Sequence, residues 1–311
     1  MNNIICIAGP TASGKTALAV ELAKALNGEV VSCDSMQIYR RMDIGTAKPT
    51  QAEMQGIVHH MLDVAEPTED FSVSRYCAMA GPIVDDILVR GKTAIIAGGT
   101  GLYMDALIRG NSFAPYPSTG MREKLEAQAD KDGMEAMLSL LASIDPDSAA
   151  RLHLKDRKRI IRALEVYYET GETITAHNLK TQQIPPKYEA LWFGLEDENR
   201  QDLYDRIDAR VDKMLEAGLI DEIKSLLAEG IPEKCTAMQA IGYKEFVAYL
   251  KGEMTLDAAA ALVQGASRHY AKRQLTWFRR NPNICWLRRK SGENTEQILQ
   301  AALQALTNSD K

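Results

Sequence analysis

Ile4-Ile5-Cys6-Ile7-Ala8 is a continuous apolar run, long enough for one buried strand. From Ala17 to Leu26, Leu18, Leu22 and Leu26 recur every four residues, as on one helix face, and Asn27-Gly28 supplies the stop. Glu29–Cys33 and Lys92–Ala97 read as further strands, with a short apolar segment between them at Val58–Val64. Val73, Tyr76, Ala80, Ile83 and Ile87 then follow a helical spacing; Pro82 falls inside it and predicts a kink or a break. After Pro115-Tyr116-Pro117 the rhythm changes. Up to about Ile184 the spacing is helical throughout, with Met121–Asp130 and Met134–Leu141 as a pair and Asp145-Pro146-Asp147 starting the next helix. Strand character returns at Leu191–Leu195, and Arg200–Glu216 predicts a helix with Tyr204, Ile207, Val211 and Met214 as its buried stripe. The expected architecture is α/β: a parallel sheet core with helices on both faces in residues 1–114 and 185–311, a helical C-terminal region, and an inserted all-helical domain at 115–184.

Between the first strand and first helix lies Gly9-Pro10-Thr11-Ala12-Ser13-Gly14-Lys15-Thr16, which fits G-x-x-x-x-G-K-[ST] and makes the core P-loop NTPase-like. Its glycines let backbone N–H groups close around phosphate oxygens at a helix N-terminus. Lys15 would balance phosphate charge, and the Thr16 hydroxyl would face Mg²⁺; the loop leaves open whether its anion is a nucleotide or another polyphosphate. In open α/β sheets the carboxyl ends of the strands face the ligand crevice, so Asp34 falls on the same rim. An acid there serves as a Mg²⁺ ligand, as a proton acceptor, or as the cap of the turn that follows. The 92–97 strand ends in Gly98-Gly99-Thr100, where phosphate-cleaving motors carry an acid. That departure disfavours a hydrolytic motor. It suggests a substrate passing close to the glycine backbone, with the Thr100 hydroxyl as a donor.

With 311 residues, 45% hydrophobic and 25% charged, the chain can bury a substantial core. A net charge of −5 gives no global attraction to nucleic acid, so such a partner needs a local patch. One candidate is Arg151, Lys155, Arg157, Lys158, Arg159 and Arg162 against the single acid Asp156, read as a phosphate-backbone contact in preference to a solvated helix face. Residues 266–290 form a second strip without any acid, with Tyr270, Trp277 and Phe278 interleaved. Arg206 and Arg210, four apart, share a helix face; they are diphosphate candidates from spacing alone, and surface salt-bridging is the equal alternative. The five cysteines are scattered and read as reduced thiols, while the adjacent His59-His60 would point to opposite sheet faces. No apolar run approaches the ~20 residues of a membrane span, and no signal peptide is evident, so a soluble, cytoplasmic protein is expected; separately, a monomer is expected.

The ordered set of segments is more specific than any one of them. The phosphate loop, Asp34-Ser35-Met36-Gln37-Ile38-Tyr39, Asp43–Pro49, Gly98–Tyr103, Asp156–Glu165, Ile241-Gly242-Tyr243 and Arg273–Arg279 resemble those of the bacterial tRNA dimethylallyltransferases. The resemblance implies transfer of a dimethylallyl group from dimethylallyl diphosphate to N6 of the adenosine 3′ of the anticodon. That base would be flipped out of the loop of the tRNA anticodon stem-loop into a channel, because a stacked base cannot present its amine to a buried carbon electrophile. It further implies that Thr11 to Thr16 bind the diphosphate, within the loop that begins at Gly9 and Pro10, and that Asp34 is the general base. Ser35, Met36 and Gln37 would touch the nucleotide together with Asp34, and Thr100 would contact substrate in the channel. Arg122, Lys158, Arg159, Ile160, Ile161 and Arg162 would contact tRNA. A bacterial-length chain without the zinc-finger tail of the eukaryotic relatives is expected. The rival readings are an adenylate isopentenyltransferase acting on free AMP, ADP or ATP, a P-loop small-molecule kinase, and a non-catalytic nucleotide-switched RNA-binding protein.

Overall fold

The computed structural model describes residues 3–110 and 119–309. Among them is one sheet of six parallel strands: β1 (Ile4–Ala8), β2 (Gly28–Ser32), β3 (His59–His60), β4 (Thr93–Gly98), β5 (Leu191–Asp197) and β6 (Ile284–Arg289), in the order β3-β2-β4-β1-β5-β6. β1 and β2 are buried at every position, as expected of parallel strands covered on both faces. Alternation then sorts the side chains. Ile4, Cys6 and Ala8 join one apolar cluster, Ile5 and Ile7 the other.

The first cluster is closed by α3 (Val73–Val89) and α4 (Gly101–Arg109), the second by α1 (Lys15–Ala25) and α13 (Thr295–Ser309). Between β2 and β3 lies the single capped turn α2 (Gln51–Met54). A third cluster joins Ile38, Tyr39 and Met42 to α9 (Arg200–Glu216), α10 (Leu219–Ala228), α11 (Tyr243–Leu250) and α12 (Leu256–Phe278). No helix among the described residues is long and apolar enough to cross a membrane.

The chain divides into two compact units, Met1–Gly110 with Lys187–Lys311, and Asn111–Pro186. The second unit holds α5 (Met121–Ile144), α6 (Pro146–Ala149), α7 (Arg157–Thr170) and α8 (Ile174–Gln183) around its own apolar core. Gly133, at φ 81° and ψ 163°, breaks α5 into the two helices that the spacing predicts. Asp145 caps α6, accepting the Ser148 N–H at 3.1 Å. The Pro115-Tyr116-Pro117 boundary lies outside the described residues.

Two expectations need correction. α3 runs through Pro82 unbroken. Pro82 and Ala78, whose carbonyl loses its N–H donor, are both exposed, so water can take the donor's place. The second correction is β6, hidden in the basic 284–290 run; it lies at the sheet edge, where Cys285 and Arg288 face solvent.

Glu29 on β2 is buried and gathers the cations Arg90 and Lys92, the latter at 2.8 Å, together with the His60 ring at 2.8 Å. His59 instead bonds the Ile57 carbonyl, so the adjacent histidines diverge. The Arg90 guanidinium above all, then Lys92 and His60, holds the Glu29 carboxyl well below the usual carboxylate range despite its burial. An unfolded glutamate titrates near ~4.3, so the Glu29 contribution to stability is complete above about that pH and drains as pH falls below it. Glu29→Gln should cost about 1–3 kcal/mol in denaturant unfolding at pH 7. It should also flatten the loss of stability between about pH 4.5 and 3; an unchanged slope would assign that loss to other carboxylates.

Candidate active site

Register places the site. Ala8 pairs with Gly98 and Ser32 with Ala97, so β1, β4 and β2 end side by side, and the segments leaving them form one rim. The loop leaving β1 runs from Gly9 to Gly14, where φ is 87°, and α1 begins at Lys15. Ala12 also takes a positive φ of 60°, so the loop backbone curls before the helix starts. Thr11, Lys15 and Thr16 line a cavity of about 420 Å³ with Asp34, Ser35, Met36, Gln37 and Arg210. Lys15 Nζ donates to the Pro10 carbonyl at 2.6 Å. Burial brings its amine down to about 8, opposed by the nearby Asp34 carboxylate. An anion in the loop would restore the charge that burial disfavours.

Asp34 follows β2 directly. Its Oδ1 accepts the Met36 N–H at 2.8 Å and the Gln37 N–H at 3.4 Å, while Oδ2 takes no hydrogen bond among the described residues. The turn-capping role and the chemical one therefore coexist: one oxygen fixes the carboxylate and the other stays open. Ser35 N–H donates to Thr100 Oγ1 at 3.0 Å. Thr100 thus braces the Asp34 turn and is not one of the residues lining the cavity. Gln37 receives Ser32 Oγ at 3.0 Å and donates to the Ala47 carbonyl at 3.0 Å, drawing Gly45, Thr46 and Ala47 to the cavity wall.

The glycines at the β4 tip are demanded by the protein's own packing, and Gly98 also lines the cavity. A Cβ on Gly98 would sit 1.9 Å from the Cys33 carbonyl oxygen, and one on Gly99 would sit 2.0 Å from Gln274 Nε2. Both are close approaches of chain to chain.

α9 and α12 cover the rim. Arg210 lines the cavity; burial lowers its guanidinium, and the facing Asp34 carboxylate counters that. Arg206 departs from the spacing-based pairing: its Nε donates to the Ala12 carbonyl at 3.1 Å and it pairs with Asp197 at 2.6 Å. It braces the loop from outside and does not line the cavity. Arg289 on β6 lies against Gly14, its Nε buried without a partner.

The 266–290 strip is less unopposed than its composition implies. Arg268 pairs with Asp208 at 2.5 Å and Arg279 with Glu196. Trp277 donates to Asp105 at 2.8 Å, and Phe278 is buried. Tyr270 and Arg273 do line the cavity. Burial first, with Asp34 second, pushes the Tyr270 phenol up to about 12.

Sequence reading missed Gln274 and Glu222. The Glu222 carboxylate accepts the N–H groups of Asp43, Ile44 and Gly45 at 2.8, 2.7 and 3.2 Å, and the Tyr243 hydroxyl at 2.6 Å, fixing the segment that brings Gly45 to the cavity. A glutamate at a helical position looks like any surface acid. Its backbone partners are about 180 residues away, and no spacing reveals them.

In the Asn111–Pro186 unit, Ile160 and Ile161 have no exposed area and belong to the core. Their buried side chains cannot reach a tRNA, so the contact expected of Ile160 and Ile161 is withdrawn. Arg122, Arg151, Lys158, Arg159 and Arg162 line a second cavity whose apolar lining includes Leu152, Ala163 and Ile174. Arg157 pairs with Glu126 and Asp130, both at 2.7 Å.

Comparison with known proteins agrees with this arrangement. Residues 37–281 match the family model "IPP transferase", and residues 2–70 match "Isopentenyl transferase". The chain is 44% identical to the tRNA dimethylallyltransferase of Acetivibrio thermocellus over 96% of both chains. It is 46% identical to tRNA dimethylallyltransferase 1 of Trichlorobacter lovleyi over 96% of this chain and 97% of that one. Among solved structures, the tRNA isopentenylpyrophosphate transferase of Bacillus halodurans superposes with a TM-score of 0.74 at 42% identity, covering 99% of this chain and 96% of that one. A eukaryotic dimethylallyltransferase acting on tRNA gives a TM-score of 0.81 at 30% identity, covering 98% and 79%.

The lowered Lys15 amine predicts a pH-dependent anion site. It is charged below about pH 8 and neutral above, so affinity for inorganic pyrophosphate should decline above that pH, by up to about tenfold per unit. Lys15→Arg stays charged throughout and should show only the titration of pyrophosphate itself. Calorimetric titrations of both proteins from pH 7 to 9.5 check this; parallel curves would place the titrating group elsewhere.

Proposed function

The chain belongs to the IPP transferase family, and we propose that it is a tRNA dimethylallyltransferase. Its reaction joins C1 of the dimethylallyl group to N6 of the adenosine 3′ of the anticodon and releases diphosphate. The observation that carries this reading is the open Oδ2 of Asp34, in a cavity that also holds the cationic groups of Lys15 and Arg210. Departure of diphosphate builds negative charge on the leaving oxygens. Cations held in a partly enclosed site stabilise that charge more strongly than water does. As the N–C bond forms, N6 becomes acidic and must lose a proton. Asp34, held ready through Oδ1, accepts it on the other oxygen.

The donor set also fits Mg²⁺. Thr16 lies beside Lys15 in the cavity, and among the described residues no three His, Cys, Asp or Glu gather as a metal cage. Mg²⁺ suits such a site, because it binds through few protein groups plus substrate phosphates. Thr16 with the diphosphate oxygens would hold it, and it would supply further neutralisation of the leaving group. Loop backbone from Gly9 to Gly14 and the side chains of Lys15 and Arg210 bind the diphosphate. Ser35, Met36 and Gln37 border the adenine, and Thr100 keeps their turn in place.

Lys158, Arg159 and Arg162 in α7, with Arg122 in α5, are exposed and basic, which suits contacts to the tRNA backbone. Residues 115–184 are accordingly read as the tRNA-binding domain. Such contacts weaken with salt, by roughly 0.7–0.9 log units of affinity per log unit of salt for each phosphate neutralised.

The test is transfer of labelled dimethylallyl from dimethylallyl diphosphate to an unmodified anticodon stem-loop, with free AMP in a parallel reaction. Label should appear on the adenosine 3′ of the anticodon. Label on AMP instead would establish an adenylate isopentenyltransferase. Asp34→Asn should lower the saturating rate by ~10²–10⁴ with stem-loop affinity nearly unchanged; a smaller loss would remove Asp34 as the base.

A further inference from the structure

We infer that Gln274 is a positioning residue that sets the spacing between the diphosphate loop and the Asp34 turn. The inference rests on the transferase reading above. Gln274 lies in the last two turns of α12 and is 5% exposed, one of few buried polar side chains among the described residues. Its Oε1 accepts the Thr11 N–H at 2.8 Å, and its Nε2 donates to the Gly99 carbonyl at 2.9 Å. The amide orientation is forced: a backbone N–H requires the oxygen, and a carbonyl requires the nitrogen. One side chain therefore ties the loop after β1 to the tip of β4, the neighbouring strand.

The tie continues. Gly99 precedes Thr100, whose N–H donates to the Cys33 carbonyl at 3.2 Å and whose hydroxyl accepts the Ser35 N–H at 3.0 Å. Asp34 lies between Cys33 and Ser35. A hydrogen-bonded path thus runs from the loop that holds the leaving group to the carboxylate that takes the proton, with Gln274 spanning its first gap. The absence of a side chain at Gly99 belongs to the same device, since a Cβ there would meet Gln274 Nε2 at 2.0 Å. Gln274 also lines the cavity, so its amide lies where a shift would be felt by a bound substrate. In group transfer between two bound reactants, displacement of one anchor by a fraction of an ångström lowers the rate without abolishing binding of either.

The experiment measures single-turnover transfer to the anticodon stem-loop with both substrates saturating, per folded molecule, beside the affinities for pyrophosphate and stem-loop. Gln274→Leu removes both hydrogen bonds at similar volume. Gln274→Glu keeps the acceptor for Thr11 and removes only the donor to Gly99, so it retains more of the native bonding where Leu does not fold. Each folded variant should transfer at least tenfold more slowly than wild type, with stem-loop affinity within threefold. A saturating rate within threefold of wild type would overturn the inference and leave Gln274 a packing residue, whether or not thermal stability or pyrophosphate affinity falls. A wild-type chain that does not label the stem-loop removes the transferase reading and this inference with it.

Discussion

In-register parallel pairing of β2, β4 and β1 is the constraint on which the site depends. Parallel strands with register Ala8↔Gly98 and Ser32↔Ala97 must end together, and what leaves them must share one edge. The phosphate loop, the Gly99-Thr100 tip and the Asp34 turn become neighbours for that reason, although about 25 and 65 residues separate them. Apolar burial on both faces fixes this register. A slip by one residue would exchange Ile4, Cys6 and Ala8 with Ile5 and Ile7 between two differently shaped clusters.

The second layer of the site comes from late in the chain. α9 and α12 pack against each other and bring Arg210, Tyr270, Arg273 and Gln274 over the rim. Their residues divide between two tasks. Arg210 stays near Asp34 in the cavity, whereas Arg206, one turn earlier, is occupied by the Ala12 carbonyl and Asp197. A second guanidinium spent on the outside of the loop holds the backbone in the curl that anion binding needs. Glu222 does the same for the Gly45 segment by accepting three consecutive backbone N–H groups. These are hydrogen bonds between distant segments, and they shape the cavity before any substrate arrives.

In the Asn111–Pro186 unit, one helix separates structure from chemistry by its own periodicity. α7 buries Ile160, Ile161, Ala163 and Leu164 and exposes Lys158, Arg159 and Arg162. A run of residues that matches a family motif thus contains two populations. The apolar members hold the helix in place, and the cationic members face solvent.

The sequence by itself determined the parallel α/β core, the phosphate loop between β1 and α1, the position of Asp34 at a strand end, and the helical character of the insert. Each is a local property: an apolar run, a spacing of four, a glycine pattern, a capping pair. The ordered motifs also pointed to the family that the comparisons establish. Tertiary structure alone decided which side chain does which task. Thr100 braces the Asp34 turn, Gly99 makes room for Gln274, and Arg206 turns to the loop backbone. The acid-free strip at 266–290 meets Asp208 and Glu196, and its last third becomes an edge strand. The physical reason is range. Periodicity records how a residue sits on its own element, whereas hydrogen bonds and ion pairs between elements depend on which distant segments the sheet register brings together.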